Sequence, residues 1–208
     1  MKKTLYLIAL LFFSVTTAFA SSTDAVNKLE SVLGTTKTMQ ANFSQALTNG
    51  KGKNLQNSNG TMAIQRPGRF RWTITNPNKQ VLIADGRYLW VYDQDLSQVT
   101  RKNLQQALGN TPALLLSGST HSLAQDFNIK VLIDNAQTQA FLLTPKSQDT
   151  LFKSIQIDFA RNALRRMVLL DNLGQISTLR FSQARNNIAL SPNLFRFKPG
   201  RGVDVIQE

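Results

Sequence analysis

The chain has 208 residues, with 24 lysines and arginines against 12 aspartates and glutamates, one histidine and no cysteine. The missing cysteine excludes a disulfide framework and a thiol that could accept a lipid. One histidine without cysteine is too little for a zinc site, so no metal is expected.

Met1, Lys2 and Lys3 open the chain, Leu5 to Val15 is an apolar run, and Ala18-Phe19-Ala20 places small residues where a signal peptidase reads. The three parts together predict a cleaved signal peptide over residues 1–20. The run is too short for a spanning helix. Residues 21–208 then form a single mature domain, exported to a bacterial periplasm. Export removes nucleic acid from consideration, despite the basic charge. That charge suits anionic membrane surfaces, acidic partner proteins, or plain solubility.

Ser22-Thr23-Asp24 can cap a helix, and Ala25, Val26, Leu29, Val32 and Leu33 recur at helical spacing before Gly34. Beyond Gly34 most of the chain alternates as strands do. Met39, Ala41, Phe43 and Leu47 share one side; residues 49–60, rich in Asn, Gly and Lys, read as a loop; Met62 and Ile64 resume the alternation. Phe70, Trp72 and Ile74 share a face opposite Arg69, Arg71 and Thr73. Val81–Ala84 and Tyr88–Tyr92 flank Asp85-Gly86, a strong hairpin signal. Further strands are expected at Phe127–Ile133, Ala140–Leu143, Lys153–Phe159, Arg165–Leu170, Ile176–Phe181 and Leu194–Phe197. Short turns between about ten strands predict one antiparallel, strongly curved sheet.

The middle breaks this pattern. Asn103–Leu108 reads as helix, Thr111-Pro112 as a cap and first helical residue, and Thr120–Asp126 as a third helix. The class is therefore α+β, with short apolar helices covering a sheet face that carries Phe43, Met62, Ile64, Phe70, Trp72 and Ile74. Periodicity leaves open whether that interior is solid or holds a gap. Catalysis is not expected: His121 with Asp126 is the only triad fragment, there is no Gly-x-Ser-x-Gly segment, and acids are few. No phosphate-binding loop is present and no cofactor is expected.

Arg66-Pro67-Gly68-Arg69-Phe70-Arg71-Trp72, followed by Ala84-Asp85-Gly86 and Leu89-Trp90-Val91-Tyr92-Asp93, resembles the LolA family of periplasmic outer-membrane lipoprotein carriers. Gly109-Asn110-Thr111-Pro112 with its leucines looks like the family's lid; Phe195-Arg196-Phe197, Pro199 and Gly202–Ile206 look like its C-terminal end. The resemblance implies an unclosed antiparallel β-barrel, a half-barrel whose mouth is covered by short helices over an apolar cavity. It implies lipoprotein acyl chains as cargo, the inner-membrane ABC transporter LolCDE as the loading partner, the outer-membrane receptor LolB as the unloading partner, and a monomer.

By the same resemblance Arg66 is the lid latch, and Ala113, Leu114, Leu115, Leu116 and Ser117 form the lid. Phe43, Met62, Ile64, Phe70, Trp72 and Ile74 line the cavity. Tyr88, Trp90 and Tyr92 stabilise the sheet, with Leu89 and Val91 on its other face. The second reading is a carrier on the same half-barrel for another periplasmic amphiphile, such as a glycolipid, since fold does not fix cargo. A sensor of mislocalised lipoproteins comes third.

Overall fold

The computed structural model describes residues 22–107, 112–118, 123–200 and 202–207. The expected signal peptide, the Thr111 cap and His121 lie outside these.

Helix α1 (Ser22–Gly34) covers the expected apolar run and also takes in Ser22–Asp24, expected as its cap, and Gly34, expected as its stop. It turns Ala25, Leu29, Val32 and Leu33 inward, where they are buried. Six strands come next: β1 (Thr38–Thr48), β2 (Asn54–Gln65), β3 (Arg69–Asn76), β4 (Gln80–Asp85), β5 (Tyr88–Asp93) and β6 (Gln98–Asn103). They lead into α2 (Leu104–Ala107), a 3-10 turn over Pro112–Leu116, and α3 (Leu123–Asp126). The remaining strands are β7 (Phe127–Asp134), β8 (Thr138–Pro145), β9 (Phe152–Ala160), β10 (Ala163–Asp171), β11 (Ile176–Asn186) and β12 (Asp204–Gln207).

All twelve strands join one sheet in the order β12-β6-β5-β4-β3-β2-β1-β11-β10-β9-β8-β7. β12 and β7 are its two edges and do not pair, so the barrel stays unclosed. This order dictates where the cover must go. β6 ends one strand from one edge, while β7 is the other edge. The connection through residues 104–126 therefore has to cross from rim to rim. Among its described residues, Leu114, Leu115, Leu116 and Leu123 are buried against the concave face.

Four expectations need correction. Residues 54–60 are strand, not loop: β2 pairs with β1 from Thr48↔Asn54 onward. Their polar side chains suit a stretch exposed at 54–57, and the ladder is made by backbone groups that composition does not report. Residues Leu194–Phe197 are not a strand. Pro192–Phe195 forms a 3-10 turn with Pro192 in its first turn and the Ser191 side chain accepting from the Asn193 N–H. The polar strand β6 escapes a search for alternating apolar residues. Finally, the sheet is not antiparallel throughout: β12 pairs parallel with β6.

Gly60 lies inside the segment whose composition reads as loop, and the fold needs it. It faces Phe43 across the β1–β2 ladder. A Cβ there would stand 1.8 Å from the Thr73 carbonyl oxygen and 2.9 Å from the Phe43 ring. Absence of a side chain lets the Phe43 ring stack on Trp72 at 3.7 Å between centroids.

Candidate functional site: the concave face and its cover

Strand alternation places Phe43, Met62, Ile64, Phe70 and Trp72 on the concave face, all buried, and Ile74 packs half-buried against them. Register brings them together: Ile64 opposes Phe70 and Met62 opposes Trp72. From the crossing segment Leu114, Leu115 and Leu116 enter the same cluster, joined by Leu29, Val32 and Leu33 of α1. Ser117 is buried and its hydroxyl donates to the Leu114 carbonyl at 2.9 Å. The side chain of Ala113 lies outside the described set.

The interior is thus apolar and occupied by the molecule's own leucines. A residual cavity of about 20 Å³ lies between Leu33, Met39, Ile64, Arg66, Leu116 and Phe159. The open apolar cavity expected from the family resemblance is therefore nearly filled by the protein's own side chains, as the close packing of interiors favours.

Arg66 opens the turn after β2, beneath the crossing segment. Its Nη2 donates to the Leu116 carbonyl at 2.6 Å, and its Nη1 donates to the carbonyls of Thr36, at 2.6 Å, and Leu33. One guanidinium therefore ties the end of α1 and the crossing segment to the rim of the sheet. Its rigid fork makes this reach available, which lysine's point charge does not. The geometry carries a cost. Among the described residues no carboxylate pairs with the charge, Nε is buried without an acceptor, and burial pushes the pKa down to about 10. A second tie lies next door, where the Gly68 N–H donates to the Ser117 carbonyl at 2.7 Å.

These acceptors are backbone carbonyls, and no side-chain motif announces them. Asp85 reads in the sequence only as a turn residue, yet it organises the neighbouring hairpin. Its Oδ1 accepts from the N–H groups of Arg87 and Tyr88, and its Oδ2 from Trp90 Nε1, all at 2.8 Å. Desolvation works to raise this carboxyl's pKa; the hydrogen bonds from Trp90 and from the Tyr88, Arg87 and Asp85 backbone outweigh it, so the net shift is downward.

Among the described residues no cluster of three metal-ligating side chains occurs, and no helix is long and apolar enough to cross a membrane.

The family model of the outer membrane lipoprotein carrier protein LolA matches residues 34–198. The chain belongs to the LolA family. An outer-membrane lipoprotein carrier protein of Legionella pneumophila strain Paris is 41% identical over 204 residues, covering 98% of each chain. One from Nitrosomonas europaea is also 41% identical, over 88% of this chain and 89% of its own. The crystal structure of a LolA superfamily protein from Nitrosomonas europaea superposes with a TM-score of 0.51 at 16% identity, over 86% of this chain and 98% of that one. At that identity the likeness speaks for the fold, and it agrees with the unclosed sheet.

Proposed function

We propose that this LolA-family chain carries outer-membrane lipoproteins by sheltering their acyl chains between the concave sheet and the segment that crosses it. The supporting observation is the apolar face of Phe43, Met62, Ile64, Phe70, Trp72 and Ile74, roofed by three leucines on a cover tied down by few polar contacts. Family membership fits a periplasmic carrier, a non-catalytic role and lipoprotein cargo.

The mechanism rests on exchange of one apolar filling for another. Burying a methylene is worth ~0.8 kcal/mol, and burying a leucine side chain about 1.5–3 kcal/mol. An acyl chain can therefore displace Leu114, Leu115 and Leu116 without leaving the sheet face exposed to water. When cargo leaves, the leucines return. Arg66 acts as the latch in this cycle, since its bond to the Leu116 carbonyl exists only when the lid is down. It favours the empty state and so helps unloading. Loading comes from the ABC transporter LolCDE, whose ATP hydrolysis supplies the work. Unloading runs downhill to the receptor LolB. The carrier acts as a monomer after removal of residues 1–20.

The direct test is to isolate the mature protein from a periplasm and analyse it intact by mass spectrometry. Co-purified triacylated protein is expected with Arg66→Leu and little with the parent, because the variant's empty state has lost a support. A variant that releases cargo to the receptor at the parent's rate sinks the latch. A free glycolipid in place of lipoprotein sinks the cargo assignment.

A further inference from the structure

The convex side of the same sheet carries a second feature. Beyond β11 the chain returns across β3 and β4 as the 3-10 turn Pro192–Phe195 and its continuation to Lys198. A groove of about 490 Å³ opens between that strap and the sheet. Val81 and Ile83 form its buried apolar floor; Tyr92 and Phe197 wall it, with ring centroids 5.4 Å apart. Three cations line it: Arg71, Arg196 and Lys198.

Among the described residues no carboxylate lines the groove. The two nearest in sequence are engaged elsewhere. Asp93 Oδ1 accepts from the N–H groups of Asp95 and Leu96, and Asp95 Oδ2 from the N–H of Lys79. Arg71 is only partly supplied with acceptors: Nη1 donates to the Leu194 carbonyl at 3.2 Å, which leaves most of its five donors without a partner among the described residues. Burial also lowers its pKa, as expected for a cation without a counter-charge.

We propose that this groove binds an extended acidic segment of a partner protein, with carboxylates on Arg71, Arg196 and Lys198 and an apolar side chain on the Val81–Ile83 floor, against the paired rings of Tyr92 and Phe197. A recess suits a chain better than a flat bilayer, which touches protruding cations and cannot reach a buried apolar floor. A bare phosphate would satisfy the cations and leave that floor unused. The protein's surplus of 24 basic over 12 acidic residues favours encounter with such a segment. The groove faces away from the concave site, so a partner can hold the carrier here whatever the cargo.

The test uses the mature protein and a fluorescent pentapeptide alternating glutamate with leucine and phenylalanine, followed by anisotropy. Binding should weaken with added salt. The glutamine counterpart of the peptide should bind at least about tenfold more weakly, a difference of about 1.4 kcal/mol. Arg196→Glu with Lys198→Glu, both at exposed positions, should give a similar loss with an unchanged thermal melt. Arg71→Lys, which keeps charge but not the fork, should lose affinity in part. The proposal is overturned if the peptide does not bind at millimolar concentration, if the glutamine peptide binds equally, or if the double variant binds like the parent. It is equally overturned if phosphatidylglycerol vesicles are captured while the peptide is not.

Discussion

The sheet's two faces are both covered, and both covers are clamped by an arginine reaching a backbone carbonyl, yet they are built for different fates. On the concave side Arg66 holds the Leu116 carbonyl, with the Gly68–Ser117 bond beside it. On the convex side Arg71 holds the Leu194 carbonyl. The convex strap has much more. Phe195 is buried at 2% exposure, Phe197 stacks on Trp90 at 5.5 Å, and β12 then pairs with β6 over four registered residues. Strand pairing and aromatic burial make a fixture, whereas leucines and a few hydrogen bonds suit the releasable fastening proposed above. On the proposed function, the difference lets one fold be rigid on one face and exchangeable on the other.

The largest effect expected from breaking this contrast is on the convex side. Phe195→Ala should cost about 3–5 kcal/mol of global stability, read in denaturant unfolding. A loss under about 1 kcal/mol would mean that the strap is no more a fixture than the lid.

A middle-sized effect sharpens it. Arg66→Leu should speed hydrogen exchange of the Gly68 amide, which donates to the Ser117 carbonyl of the crossing segment, by about tenfold or more, since bonds to charged groups are worth about 1.5–3 kcal/mol. Arg71→Leu should leave that amide alone. Equal acceleration by both would dissolve the distinction between the faces.

The smallest effect concerns pH. The folded pKa of Asp85 is lowered, so its hydrogen bonds contribute stability fully above the ordinary carboxylate value of 3.8 and lose it as pH falls through the folded value. Asp85→Asn keeps a carbonyl oxygen but cannot accept from Trp90 Nε1 with its amide nitrogen. The parent should therefore melt above the variant near neutrality, and the gap should close in acid. A gap independent of pH would remove the carboxylate from the account.

Much of the fold is readable in the residues themselves. Helix α1, the Asp85-Gly86 hairpin, most of the strands and the shared face of Phe70, Trp72 and Ile74 emerge from spacing, because burial on one side leaves a period. Strand β6 and the start of β2 do not, since their ladders are backbone affairs and their side chains are polar. The role of Gly60 is illegible for a related reason: it is defined by the Phe43 ring and the Thr73 carbonyl, which meet it only after pairing. Arg66 can be singled out through family resemblance, but its acceptors on Leu33, Thr36 and Leu116 are atoms that every residue owns.

If the segment between β6 and β7 is the lid proposed above, its attachment to one strand at each end constrains how it can open. A flap rooted at both ends cannot swing aside like a door; it must bow outward like a bucket handle, which takes extra length. Its short helical turns hold that length in reserve: a residue spans about 1.5–2.0 Å when coiled and about 3.4 Å when drawn out. On the proposed lid role, unwinding the turns at 104–107, 112–116 or 123–126 would widen the entrance while both roots stay in place.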